Sequence, residues 1–235
     1  MTGWAPKRFW KTASVEEAAE GFSVMLDGRS LRSPAKAALI LPKRDLAAAI
    51  ATEWDAQQEE VQPETMPFTR IANSAIDKVA PQFDAVVGVI AAYGASDLLC
   101  YRAGDPEELV ARQSDAWDPV LDWAAETLGT CLTVTTGVIP VDQPPEAISR
   151  LEEELRDLDP FRLAAIHDLV AISGSLVLGL AVARSQLAPE RAFDLSRIDE
   201  IWQMERWGED ELATEAMVLK RAAFNHAARF YKLCG

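Results

Sequence analysis

Histidine, the usual general base and metal ligand, occurs only twice in 235 residues, as His167 and His226. Catalysis built on imidazole therefore has little to stand on. Cysteine occurs three times, as Cys100, Cys131 and Cys234. An odd number with no C-x-x-C spacing argues against a disulfide framework or a zinc cluster and fits a reducing compartment. The longest nearly uninterrupted apolar run, Leu169–Ala183, has 15 residues, short of the ~20 that span a bilayer. Residues 1–7 offer no apolar stretch for export and no Arg-rich, Ser-rich presequence. The expectation is a protein without membrane insertion, cytoplasmic in a bacterium or, as a processed form, in the mitochondrial matrix.

Phosphate-handling and nucleophile motifs are missing as well. There is no G-x-x-x-x-G-K-[ST], no G-x-G-x-x-G behind a strand, and no G-x-S-x-G elbow. Gly174 and Gly179 stand five residues apart with no lysine following, a spacing that close helix packing explains. A D-x-[DN]-x-[DN]-G calcium loop is absent too. No catalytic residue, metal, cofactor or small-molecule substrate is expected. His167, beside Asp168 at the edge of an apolar helix, reads as a hydrogen-bonded boundary residue, and His226 as a surface one.

What the chain has in excess is acid. The net charge is −14, unevenly spread: residues 1–44 carry eight Lys/Arg against four Asp/Glu, residues 45–160 six against 23, and residues 161–235 nine against ten. An acidic surface of this kind repels phosphate backbones and anionic lipid, which excludes nucleic acid as a partner and favours a basic or amphipathic protein. With 49% apolar residues the chain has ample material for a core.

The periodicity divides in two. Gly21–Leu26 alternates toward Asp27-Gly28, a dipeptide suited to a tight hairpin, and Leu39-Ile40-Leu41 is a second short apolar run ended by Pro42. From Asp45 the period turns helical, with Leu46, Ile50 and Trp54 at i, i+4, i+8. Helices are predicted from Thr69, from Pro81, over 107–128 with a kink or restart at Pro119, over Glu146–Leu158, and from Pro160 through the apolar run. A further helix is predicted from Pro189 into the tryptophan-acid segment, and a last one over Glu211–Leu233. Only Cys131–Thr136 interrupts them as a β-like run. The expected architecture is α+β: a small β-containing N-terminal domain, residues 1–66, followed by a larger mainly α-helical domain, residues 67–235.

The densest chemistry lies in Glu200–Glu211, where Trp202 and Trp207 sit among acids. On a helix Trp202, Glu205 and Glu209 share one stripe, and Glu200, Gln203 and Trp207 the next. Such a segment is either a recognition surface or a helix whose tryptophans face a core. Two alternatives to a binding protein are a hydrolase using carboxylates such as Asp97, Asp118 and Glu205, and an acidic mimic that blocks a nucleic-acid-binding protein. The basic first 44 residues and the many tryptophans argue against the mimic.

Several ordered segments make the chain recognisable: Phe9-Trp10-Lys11, Gly21–Arg29, Ser33–Lys36, Ala51–Gln57, Met66–Asn73 and Gln203–Gly208. Together they resemble the assembly chaperone of the F-type ATP synthase catalytic head, the family of mitochondria and α-proteobacteria that binds the free α subunit. The resemblance implies a two-domain α+β protein that keeps the unassembled α subunit soluble until β replaces it, without hydrolysing nucleotide. It also implies a functionally sensitive acidic surface on the C-terminal domain. On this sequence that surface falls on Glu190, Asp199, Glu200, Gln203, Glu205, Trp207 and Glu209. Glu190 leads because it opens Pro189-Glu190-Arg191-Ala192-Phe193, although a carboxylate favoured there by the helix dipole is an equal alternative. Trp54 and Arg70 are expected to support the fold.

Overall fold

A computed structural model of the chain describes residues 7–235. Apart from Lys7, the N-terminal segment read for export or targeting lies outside them. The expected α+β architecture is present, with the longer strands near the N-terminus and helices thereafter. The chain groups into two compact units, one holding residues up to 83 with 160–165 and 229–235, the other residues 84–159 and 166–228.

In the first unit, β1 (Ala13–Ala18) and β2 (Gly21–Leu26) form an antiparallel hairpin, with Ala18 opposite Gly21 and Ala13 opposite Leu26. Asp27 and Gly28 make the expected tight turn with φ of 47° and 78°, leading into β3 (Arg29–Ser30). The Asp27 carboxylate accepts from the Thr12 and Lys11 amides at 3.0 and 2.9 Å, which holds it below its ordinary pKa. β4 (Ile40–Leu41) pairs with β2 and completes the sheet. α1 (Arg44–Asp55) buries Leu46, Ala47, Ile50 and Ala51 on one stripe. At the start of α2 (Pro67–Ser74) the Glu53 carboxylate caps the helix, accepting from the Phe68 and Thr69 amides at 2.7 and 2.8 Å. It satisfies donors that no helical carbonyl can reach.

α2 continues through a π turn (Ala75–Val79) and a 3-10 turn (Ala80–Gln82) into α3 (Phe83–Ala91). The whole run Pro67–Cys100 is long and apolar enough, by length and composition, to cross a bilayer. It is instead assembled from short pieces, carries Asp77, Lys78 and Asp84, and buries Phe68, Ile71, Val87 and Ile90 as core helices do.

The second unit is mainly helical. β5 (Tyr101–Arg102) pairs in parallel with β6 (Thr135–Thr136), so only the end of the predicted β run 131–136 is strand. α4 (Glu107–Leu128) runs through Pro119 unbroken and stops at Gly129, which is left-handed with φ 65°. α5 (Pro145–Arg156) and α6 (Pro160–Ser173) follow. The apolar run predicted as one helix with α6 is two, because Gly174 turns left-handed at φ 75°. Ser175 then caps α7 (Leu176–Ala183) by accepting from the Leu178 amide at 3.0 Å. A Cβ on Gly179 would come within 2.9 Å of Val170 Cγ2, the close helix approach expected of that spacing.

A second separation affects the candidate site. The helix expected from Pro189 into the tryptophan-acid segment is also two, α8 (Pro189–Leu195) and α9 (Ile198–Trp207). Ser196 Oγ donates back to Phe193 O at 2.7 Å at the joint. α10 (Glu211–Leu233) ends the chain, its first turn capped by Asp210 Oδ1, which accepts from the Ala213 amide at 2.8 Å.

Asp97 is fully buried and ties two of these elements together. Its carboxylate accepts from the Leu99 amide at 3.1 Å and from the Val177 amide, at the start of α7, at 3.0 Å. Burial outweighs these bonds and pushes its pKa up to about 6 from 3.8. The folded state therefore holds the Asp97 proton more tightly than the unfolded chain does. The associated stability is present below pH ~4 and lost as pH rises through 6, an effect on the order of 3 kcal/mol. Asp97→Asn is expected to gain by about that much on wild type between pH 4 and pH 7, measured as urea-unfolding free energy. Parallel pH profiles for the two proteins would show that ionised Asp97 carries no burial cost.

Candidate functional site

α9 is held from beneath by paired side chains. Ile198 is buried, and Trp202 lies half-buried beside two guanidinium groups, Arg112 at 5.9 Å and Arg206 at 4.6 Å from its ring. Arg112 of α4 donates in a two-pronged pair to Glu205, at 2.6 and 3.0 Å, and this contact keeps the Glu205 carboxyl below its usual range. Next to Arg112 in sequence, Gln113, 1% exposed, accepts from the Ala103 amide at 2.8 Å and donates to Asp199 at 2.6 Å. Arg197 donates to Glu200 at 2.8 Å and to the Ile172 carbonyl.

The seven predicted site residues thus divide by role. Asp199, Glu200 and Glu205 are committed to side chains within the unit and fix the pose of α9. Gln203 and Trp207 project from the same helix, exposed and without a side-chain hydrogen bond among the described residues. Glu209, expected on the stripe of Trp202, lies beyond the end of α9 in the turn to α10. Glu190 is exposed in the first turn of α8, a helix separate from α9. The question of the two tryptophans is answered differently for each. Trp202 braces the helix, whereas Trp207 is 79% exposed.

Three clefts open around α9, and Gln203 lines all of them. One of about 400 Å³ lies between α9 and α10, walled by Met204, Trp207, Met217 and Lys220. One of about 550 Å³ reaches Trp117 and Ser173, and one of about 680 Å³ runs past Pro106, Leu109 and Trp202 to Trp207. An exposed indole beside open clefts, with free polar groups on either side, is suited to protein contact.

Sequence reasoning missed the continuation of this surface. Leu212, Val218 and Leu219 on α10 are 76%, 61% and 70% exposed. Their signal was available, since Leu212, Ala216, Leu219 and Ala223 recur at i, i+4, i+7, i+11. In the first unit Trp54 packs against Trp10 with ring centroids 5.0 Å apart and the rings tilted by 59°, as a fold-supporting residue should. Arg70 is exposed and lines a cleft of about 650 Å³ together with Trp54 and Asn73.

The acids considered for hydrolysis each have a structural partner. Asp97 caps α7, Asp118 accepts from Arg102 at 2.7 Å, and Glu205 holds Arg112. Glu152 and Glu153 face Arg156 and Arg150 as solvated pairs within α5, and Glu154 faces Arg184 at the end of α7. His167 is 47% exposed at 3.1 Å from the Asp168 carboxylate, whose hydrogen bond raises its pKa. Among the described residues no group of three or more His, Cys, Asp or Glu side chains is placed to hold a metal ion.

Comparison with known proteins gives a consistent family. The profile of the ATP12 chaperone protein family matches residues 7–125. The mitochondrial protein atp12 of Schizosaccharomyces pombe is 28% identical over 221 residues, covering 89% of this chain and 76% of the yeast protein. The crystal structure of Atp12 from Paracoccus denitrificans matches with a TM-score of 0.94 at 50% identity, covering 97% of this chain and 98% of that one. An aspartate-to-lysine variant of the Paracoccus protein matches equally well. The Atu1473 protein of Agrobacterium tumefaciens gives a TM-score of 0.93 at 46% identity, over 97% of this chain and 85% of that one.

Proposed function

Because this chain belongs to the ATP12 chaperone family, a family of ATP synthase assembly, we propose that it binds the free α subunit of the F-type ATP synthase catalytic head. It keeps that subunit soluble until β takes its place. The observation that carries this function is Trp207, an indole 79% exposed at the end of a helix whose own acids anchor it. A large aromatic surface carried on a helix whose backbone is already fixed is a binding anchor, because the helix itself need not be ordered on contact.

The work asked of the protein is shielding, and it needs no bond to be made or broken. A subunit face destined for burial against β is apolar and aggregates when left bare. Trp207 and its clefts supply apolar contact, while Glu190, Gln203 and Glu209 supply a polar rim that steers encounter and keeps the complex soluble. No ATP, metal or cofactor enters this scheme, and the protein acts as a binder and not an enzyme. It works in the bacterial cytoplasm, or in the mitochondrial matrix in a eukaryotic form.

Coexpression with the α subunit tests the function directly. Soluble α should rise and coelute with the chaperone on gel filtration, and an unchanged α solubility with no complex would sink the proposal. Trp207→Ala is expected to weaken α binding about 30-fold, the ~2 kcal/mol typical of an aromatic anchor. Glu190→Lys and Glu209→Lys should weaken it less, through the rim, and all three should leave the stability within ~0.5 kcal/mol. Glu205→Lys is a poorer probe, because it also breaks the Arg112 pair that holds α9.

A further inference from the structure

The outer face of α10 is apolar where a surface helix should be polar. The inward stripe is ordinary: Phe224 is fully buried with its ring 5.8 Å from Phe193, and Arg221 lies over the Phe193 ring while donating to Asp194 at 2.7 Å. About a third of a turn round from that stripe Leu212, Ala216, Leu219 and Ala223 are all exposed. These four positions follow one another along about 16 Å of helix, at 1.5 Å per residue. A helix apolar on both faces is one that expects cover on both. Trp207, across the turn from α10, lines the cleft between α9 and α10 together with Ala216 of this strip.

We infer that Leu212, Ala216, Leu219 and Ala223, with Trp207, form a docking strip for a basic amphipathic helix of the client protein. This inference rests on the proposed chaperone function and specifies which surface and which client segment that function uses. Charge selects the occupant. Glu209, Asp210, Glu211 and Glu215 border the strip, and the basic residues from 207 to 223 are Lys220 and Arg221, of which Arg221 is paired with Asp194. A client helix with Lys or Arg flanking its apolar stripe meets this border favourably. A second copy of the chain fits badly, since parallel pairing sets acid against acid and antiparallel pairing offers one lysine to four carboxylates. The strip's length matches about three turns of a partner helix, laid with anchors at i, i+4 and i+7.

The test uses the full chain, the purified α subunit and two fluorescently labelled 20-residue helical peptides. The peptides share a leucine stripe and differ only in flanking Lys or Glu. The Lys-flanked peptide is expected to bind wild type at least tenfold more tightly than the Glu-flanked one, and to be displaced by the α subunit. Leu212→Glu with Leu219→Glu should abolish its binding and weaken α binding at least tenfold. The milder pair Leu212→Ala with Leu219→Ala should fall between, with helical circular dichroism unchanged in both. Equal affinity for the two peptides, or full α binding by the glutamate pair, overturns the docking strip while leaving the chaperone function intact. So does a wild-type dimer on gel filtration that the glutamate pair converts to monomer, because the second copy would then be the occupant. Lys-peptide binding that depends on the strip, in a protein that does not bind α, has the opposite meaning: the strip stands and the α-subunit assignment fails.

Discussion

Replacing Trp117 with alanine is expected to lower the unfolding free energy by about 3–5 kcal/mol, the range for deleting a large buried aromatic ring. Trp117 is 1% exposed at the middle of α4, and it has three separate attachments. Its indole N–H donates to the Leu195 carbonyl at 2.8 Å. The Arg102 guanidinium lies 5.2 Å from its ring, held there by Arg102 donating to Leu99 O and to Asp118. Its own ring fills the space under the joint between α8 and α9. The alanine variant leaves a cavity, an unpaired Leu195 carbonyl and an unstacked guanidinium at once. At roughly 2–4 °C per kcal/mol for a chain of this size, the melting temperature should fall by about 6–20 °C. Trp117→Phe keeps most of the ring and loses only the hydrogen bond, so it should cost about 1–2 kcal/mol. If phenylalanine proves as damaging as alanine, the carbonyl and not the packed ring is what Trp117 serves. The joint is also what aims α9, so the alanine variant should lose α binding even at temperatures where it stays folded.

The parts of this architecture that local rules decide were legible in the sequence. Asp27-Gly28 specifies its turn by backbone geometry alone, and the i, i+4, i+8 spacing of Leu46, Ile50 and Trp54 marks α1 without help from elsewhere. The parts settled by distant partners were not. β1 reads Ala-Ser-Val-Glu-Glu-Ala, a poor strand by composition, and exists because β2 offers it a full ladder. The break between α6 and α7 is made locally at Gly174 and Ser175, but the bond that ties the start of α7 to Asp97, from the Val177 amide, spans 80 residues of sequence. Within the candidate site the residue types were legible and the assignments were not. Glu205 and Asp199 look like free acids until Arg112 and Gln113 appear, 93 and 86 positions away. Leu212 and Leu219 failed to register for a different reason. An apolar stripe is taken to face inward, and only the burial of Phe224 and Ala228 shows that this one faces out.

The anchored acids also alter what a charge substitution measures. A carboxylate that is free in the folded chain reports on the partner when it is reversed, whereas a paired one reports first on the helix it holds. Among the described residues Glu190 and Glu209 are exposed with no ion pair, and so belong to the first kind, Asp199 and Glu205 to the second. Reversal of Glu205 places a lysine against Arg112 and releases one clamp on α9, so a loss of α binding in that variant carries both effects. Pairing it with Arg112→Glu separates them: the swapped ion pair should restore the pose of α9, and any binding loss that persists belongs to the partner.

Alanine at Gly21 is expected to destabilise the first unit by at least ~3 kcal/mol, far beyond the cost of the same change at Gly28. Gly21 opens β2 at φ 142°, a backbone region that side chains rarely adopt, and strain there is worth about 1–3 kcal/mol. The larger obstacle is steric. A Cβ on Gly21 would stand 2.3 Å from the Leu41 carbonyl oxygen and 3.2 Å from the Leu41 carbonyl carbon. The obstructing atoms are backbone, so no rotamer change relieves the contact, and β4 has to move off β2. That movement gives up the pairing of Phe22 with Leu41 and disturbs Leu39 and Leu41, both fully buried. Gly28 has φ 78° and nothing within 4 Å of its missing Cβ, so alanine there meets only the left-handed penalty of about 1–2 kcal/mol. Amide hydrogen exchange reads the difference at single residues: in Gly21→Ala the amides of β2 and β4 should lose protection together, while in Gly28→Ala they should not. Equal costs at the two glycines would mean that β4 yields freely, and that the sheet depends on the β1–β2 hairpin rather than on β4.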